Sequence, residues 1–247
     1  MSVPDGFSPR FSPDEDVAHG ALDLSDETPH FDDAFLDAVR GQNSWLRLAD
    51  GTRTCLPVTR WLGTSGDHED AAFDRHIARM CSGPTIDLGC GPGRLVSELI
   101  DHGVCALGVD RSARAIAMTR KRGGVALRRS IFERMPGEGG WHHALLIDGN
   151  VGIGGDPHEV VRRAADLVAP GGTVIVELES GVGSAAGWNG SVWSGAVRVE
   201  SRNVAGPWFP WARVGVGAAR EIAERAGLRL GTAHVISGRH LVELVRP

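Results

Sequence analysis

Residues 85–110 decide the reading of this 247-residue chain: Thr85-Ile86-Asp87-Leu88, then Gly89-Cys90-Gly91-Pro92-Gly93, then the run Arg94 to His102, then Ala106-Leu107-Gly108-Val109-Asp110. The first four residues have strand composition, and the glycine- and proline-rich five that follow read as a turn. Arg94 to His102 reads as a helix, and the last five as a second short strand. A strand, tight turn, helix and strand in this order predict a parallel, doubly wound sheet with right-handed crossovers.

The same alternation continues toward the C-terminus. Ser112 is placed to cap a helix running through Arg122. Val125 to Arg128 and Ala144 to Asp148 are the third and fourth strands. Asp156-Pro157 is a favourable N-cap and N1 pair for a helix reaching Val168, which Ala169-Pro170-Gly171-Gly172 ends before a fifth strand, Thr173 to Leu178. Residues 180–213, rich in Gly, Ser and Trp, are too long for an ordinary loop and predict an insertion with short strands of its own. Val216 to Ala226 is a helix with Gly227 at its C′ position. Leu228 to Ile236 and His240 to Val245 close the chain as an antiparallel pair.

Toward the N-terminus, residues 1–30 read as a loose arm. Phe31 to Val39 has helical spacing, two short runs around Asp50-Gly51 predict a hairpin, and Asp67 to Met80 is a second amphipathic helix. The expected division is an arm and cap segment over 1–80 and a ligand-binding domain over 81–247 carrying the insertion.

In open α/β sheets ligands bind beyond the carboxyl ends of the strands, where the glycine turn lies. A pyrophosphate site uses GxGxxG, whereas Gly89, Gly91 and Gly93 are spaced GxGxG. Asp87, two residues before the first glycine, would repel an anion but suits a ligand bearing an ammonium group. Asp110 is placed to accept from ribose hydroxyls. Asp87 through Gly93 resembles motif I of the class I S-adenosylmethionine (SAM)-dependent methyltransferases, Val109-Asp110 resembles that family's ribose acid, and Leu167 to Gly172 resembles its L-x-P-G-G turn. The resemblance covers about residues 84–180 and the closing strand pair. It implies an α/β, Rossmann-like, mostly parallel seven-stranded sheet with an antiparallel last strand. It also implies SAM as cofactor, held by Asp87, Gly89, Cys90, Gly91, Gly93, Asp110 and Arg111, with Ser130 (where many members have an acid) and Ile131 near the adenine. Asp148, Gly149 and Asn150 would lie at the mouth beside the methyl group. The Gly-Asn step is similar to one in small-molecule N-methyltransferases of the glycine N-methyltransferase type.

Methyl transfer from a sulfonium is an in-line displacement in which the cofactor carries the activation and the protein positions the acceptor. A base is needed only for an acceptor that arrives protonated. His68, His158 and Asn150 are the candidate catalytic residues. His142 and His143 precede the fourth strand, at its far end, and His234 and His240 read as structural members of the closing strands. Trp61, Trp188, Trp208, Trp211, Asn150 and Arg213 are the candidate acceptor contacts, since aromatic walls attract flat or cationic molecules and arginine holds anions.

Composition narrows the classes further. Net charge is −5 and the pI about 6.0, leaving no basic surplus for a phosphate backbone. Cys55, Cys81, Cys90 and Cys105 show no metal or disulfide pattern. There is no apolar run of membrane length and no signal-like N-terminus. Lys121 is the only lysine and tyrosine is absent, a bias of GC-rich bacterial genomes. The expectation is a cytoplasmic enzyme, monomer or homodimer, methylating a small molecule of specialised metabolism at O or N, without metal, membrane or nucleic-acid partner. A SAM-binding protein without methyl transfer, a SAM-using enzyme of another class and a nicotinamide dehydrogenase are the competing readings.

Overall fold

The computed structural model describes residues 31–180, 190–202 and 204–247; the N-terminal arm and Trp188 lie outside the described residues. In chain order the elements are α1 (Phe31–Val39), β1 (Trp45–Leu48), β2 (Arg53–Cys55), α2 (Val58–Trp61), α3 (His68–Met80), β3 (Thr85–Leu88), α4 (Arg94–Asp101), β4 (Ala106–Asp110), α5 (Ala113–Lys121), β5 (Val125–Arg128), β6 (Trp141–Leu146), α6 (Pro157–Leu167), β7 (Val168–Leu178), β8 (Val192–Glu200), β9 (Phe209–Val214), α7 (Ala219–Arg225), β10 (Arg229–Ile236) and β11 (Arg239–Val245). Single 3₁₀ turns occupy Asn150–Gly152 and Val216–Ala218.

The main sheet has the order β10-β11-β7-β6-β3-β4-β5. β3 to β7 are parallel, and β11 runs antiparallel between β7 and β10. β3 is buried along its whole length, as a strand covered by helices on both faces must be. Ile86, Leu88, Val174 and Val176 pack with α6 and α7 on one face, while Leu145, Ile147 and Ile175 pack with α3 and α4 on the other. The helix starts follow the capping chemistry. The Ser112 hydroxyl accepts from Ala115 N–H (2.8 Å), and the Asp156 carboxylate accepts from His158 N–H (2.9 Å) ahead of Pro157.

Three boundaries differ from expectation. β6 begins at Trp141 rather than Ala144, because the two histidines fit the pleat: His142 is exposed and His143 buried. His143 Nε2 accepts from Ser82 N–H (3.0 Å), and its Nδ1 lies 2.7 Å from Thr173 Oγ1. This paired imidazole sits at the end of the sheet away from the glycine turn. β7 begins at Val168 and draws Pro170-Gly171-Gly172 into the strand, with an irregular register opposite Trp141 and His143. The helix expected over 216–226 opens as a 3₁₀ turn.

The larger difference is the union of two segments read separately. The N-terminal hairpin and the insertion form one four-stranded antiparallel sheet, β2-β1-β8-β9, with Leu46 opposite Val199 and Leu48 opposite Val197. A two-stranded hairpin alone is marginal in water, and β8 supplies the missing partner. Val199 then packs with Ala34, Phe35, Val58 and Leu62. This second sheet is tied to the first where β7 ends: Glu179 N–H donates to Val214 O (2.9 Å) and Val216 N–H to Glu179 O (3.0 Å). It also rests on the loop after β6, where a Cβ on Gly152 would stand 1.9 Å from Ala212 O. Gly152→Ala should therefore displace β9, costing about 1–3 kcal/mol as an overpacked contact and lowering Tm by about 3–10 °C. Thermal unfolding measures it, and an unchanged Tm would show that this contact is not tight.

Candidate active site

The strand order places β3 between β4 on one side and β6 on the other, so the connections leaving β3 and β6 diverge above the sheet. A cavity of about 780 Å³ fills that opening, within the range of roughly 300–1,000 Å³ for small-molecule sites. Loops after β3 to β7 form its floor, and the four-stranded sheet with α1 and α2 forms its roof.

The glycine turn is shaped by close approach. Gly89 has φ +80°, and a Cβ there would lie 2.7 Å from Asn150 Nδ2. That amide donates to Leu88 O (3.0 Å) and Gly89 O (2.8 Å), fastening the loop after β6 onto the turn after β3. Gly93, also at φ +80°, starts α4 against Thr119, whose side chain would stand 2.5 Å from an added Cβ. Gly91 N–H donates to one Asp110 oxygen (2.9 Å) and Ser112 N–H to the other (2.8 Å). Burial pushes the Asp110 carboxyl up, and these N–H groups offset the rise only in part. Cys90 lines the cavity, with its thiol under β4, where a Cβ on Gly108 would meet Sγ at 2.7 Å, and burial holds it well above the ordinary thiol range.

Asp87 is different. It lines the cavity, is 2 % exposed and accepts no hydrogen bond among the described residues. Burial pushes its pKa up to about 7; Arg94 draws it down, and Asp148 and Asp110 raise it again. A buried carboxyl left without a donor is costly, and its chemistry suits an incoming cation.

Beside it runs a ladder of buried charges. Arg94 bonds Asp74 through Nη1 and Asp148 through Nη2 (2.5 Å). Arg239 bonds the other Asp148 oxygen (2.7 Å) and holds Glu177 with two bonds of 2.7 Å. Glu177 in turn accepts from Asp148 N–H (2.7 Å), at a residue with φ +57°. Arg239 lies 3.5 Å over the Phe73 ring. Burial alone would raise Asp148, but Arg94 and Arg239 hold it below the usual carboxylate value. Sequence reading did not find this ladder, because its members come from five separate elements and no local spacing connects them.

Arg111, Ser130, Ile131, Gly149, Trp61, Trp211 and Arg213 all line the cavity. Arg213 is held by Glu179, also in the lining. Asn150 and Asp148 line it too, with side chains turned to the bonds just described. Four described candidates lie outside the lining: Gly93, turned against Thr119 as above, and three more. His68 is exposed at the first residue of α3 and outside the lining. His158 borders a separate small cavity with Ser191 and Glu221, its Nε2 3.2 Å from Arg225. Trp208 is 46 % exposed with the Arg198 guanidinium 4.9 Å over its ring. His240, read from sequence as a structural strand residue, does line the cavity.

Residues 86–172 match a family model described as a methyltransferase domain. No curated protein matches the chain by sequence. Among solved structures, a SAM-dependent methyltransferase from Bacteroides fragilis in complex with S-adenosylhomocysteine is 18 % identical, with a TM-score of 0.69 over 91 % of this chain and 98 % of that one. A sugar N-methyltransferase from Streptoalloteichus is 16 % identical, with a TM-score of 0.56 over 74 % and 90 %. The 1,6-didemethyltoxoflavin-N1-methyltransferase of Burkholderia thailandensis is 12 % identical, with a TM-score of 0.52 over 89 % and 90 %. Residues 86–172 thus carry a methyltransferase-domain match, and the fold around them is shared with solved SAM-dependent methyltransferases.

Proposed function

We propose that the chain methylates a small molecule at oxygen or nitrogen, and that catalysis is mainly the positioning of that acceptor. The observation that carries this reading is Asp87, a buried carboxyl without a donor at the floor of a roofed cavity. SAM supplies the electrophilic methyl group and brings an ammonium group that matches that carboxylate. Asp87 takes the ammonium, and Asp110, already oriented by Gly91 and Ser112, accepts from the ribose hydroxyls. Ser130 and Ile131 border the adenine, and the Gly89–Gly93 turn lets the cofactor lie close to backbone. Asn150 acts as a positioning residue that keeps the loop after β6 in register with the turn.

The described residues of the N-terminal segment (31–61) and of the insertion (192–214) act together as the acceptor roof. The enclosed cavity and the acidic balance favour a small molecule over nucleic acid. Related folds act on a sugar and on 1,6-didemethyltoxoflavin by the names they carry, which supports a place in bacterial specialised metabolism. The four cysteines are free thiols and no helix among the described residues is long and apolar enough to cross a membrane; a cytoplasmic monomer or homodimer fits these features.

Calorimetric titration tests the reading. SAM should bind and NAD should not; the reverse would refute it. Asp110→Ala should weaken SAM at least about tenfold through loss of two ribose hydrogen bonds, and unchanged affinity would remove Asp110 from that role.

Asp87 also sets a pH dependence. Its folded pKa of about 7 exceeds its ordinary 3.8, so the ligand-free fold holds the proton more tightly than the unfolded chain. The stability from this group is full below about pH 4 and is lost as pH rises toward about 7. Pairing with an ammonium requires the ionised form. SAM affinity should therefore rise between pH 5.5 and 7.5 with proton release on binding, and Asp87→Asn should bind more weakly with a flat profile. A wild-type affinity independent of pH across that interval would contradict the pairing.

A further inference from the structure

We propose that His240 takes the proton of the acceptor, and that the acceptor is a neutral, largely apolar ring compound bearing a hydroxyl. This deepens the methyltransferase reading above and rests on it. The acceptor end of the cavity has a particular chemistry. Trp61, Phe31, Phe209 and Trp211 form a continuous series of edge-to-face contacts, with centroids 6.1, 6.0 and 6.1 Å apart. Leu46 and Leu56 extend this apolar wall. Such a surface favours a ring held by its faces and edges.

Each carboxylate at this end already has an arginine partner. Asp148 and Glu177 are held by Arg239, Asp148 also by Arg94, and Glu179 by Arg213. An ammonium acceptor would find no carboxylate there without an arginine on it, and a neutral acceptor needs none. A neutral hydroxyl must lose its proton as its oxygen is alkylated, so this end needs a base. His240 is the only imidazole lining the cavity among the described residues. It is half-buried, and its imidazole makes no hydrogen bond to any described residue. On β11 it stands opposite Leu178 of β7, and paired residues of an antiparallel ladder share a face. Leu178 also lines the cavity, directly before the Glu179 junction that joins the roof to the main sheet. The charged groups around His240 are Arg239 beside it, Glu177 and Glu179 at the end of β7, and Arg213 on β9, all engaged with one another or with Asp148.

The step balances as follows. The hydroxyl oxygen bonds to the methyl carbon while the carbon–sulfur bond breaks, its electron pair leaving on sulfur as S-adenosylhomocysteine. The hydroxyl proton passes to an imidazole nitrogen of His240, and the imidazolium returns it to solvent after product release.

4-Nitrophenol with S-adenosylhomocysteine tests the assignment without turnover, because the phenolate absorbs where the phenol does not. At a pH one unit below its ionisation in free solution, the probe should bind the wild-type complex as phenolate. His240→Gln should bind it as phenol while keeping S-adenosylhomocysteine affinity within about twofold by calorimetry, which also reports an intact fold. Single-turnover methylation of the same probe should slow on the order of a hundredfold or more, the usual contribution of a general base. Equal phenolate absorbance in His240→Gln, or no binding of 4-nitrophenol to the wild-type complex, overturns the proposal. A wild-type protein that binds neither SAM nor S-adenosylhomocysteine overturns the methyltransferase reading and this inference with it.

Discussion

The site depends on how buried carboxylates are compensated. Asp74, Asp87, Asp110 and Asp148 converge under one cavity, and isolated ionised groups cannot be buried without partners. The protein resolves this in three ways. Asp74 and Asp148 share Arg94, a residue only 8 % exposed. Asp110 takes two backbone N–H groups. Asp87 takes none and retains its proton up to about pH 7. The unequal treatment leaves Asp87 as the one of these four carboxyls without a hydrogen-bond donor among the described residues.

The charge ladder also fixes geometry. Arg94 opens α4, Asp148 follows β6, Glu177 is in β7 and Arg239 begins β11. With Asp74 in α3, the ladder therefore ties five segments together at the carboxyl edge of the sheet, where a parallel sheet has no hairpins to hold its ends together. The Asn150 amide closes the same edge from the other side by binding the β3 turn. The cavity floor is thus held by side chains, while its roof is held by backbone: the β1–β8 ladder and the Glu179 junction. Neither half of the roof sheet would be stable alone, since each contributes a two-stranded piece.

That distinction explains what the sequence could disclose. The strand, turn, helix and strand over 85–110 depend on neighbours within a few residues, so glycine spacing, the Ser112 cap and apolar runs were enough. The Asp156-Pro157 start of α6 was legible for the same reason. The pairing of β1 with β8 joins segments about 150 residues apart, and neither carries a mark of its partner. β6 hid its first turns because His142 and His143 look polar, although one faces solvent and the other is satisfied by Ser82 and Thr173. The catalytic candidates suffered most. Nearness in sequence to functional loops points to His68 and His158, whereas one is exposed on α3 and the other borders a separate small cavity beside Arg225. His240 was set aside because it sits in a strand, and only the register with Leu178 shows that its strand ends at the cavity.

The two ends of the cavity therefore follow opposite electrostatic rules. At the glycine turn an acid is left without a counterion, so a cation is attracted. Beyond the ladder every acid in the lining is covered by an arginine, so a second cation gains nothing by entering. A methyl donor that carries positive charge and an acceptor that carries none are sorted by this difference before any shape is considered. Removing a proton at the acceptor end would create an anion close to the sulfonium, whose positive charge favours it.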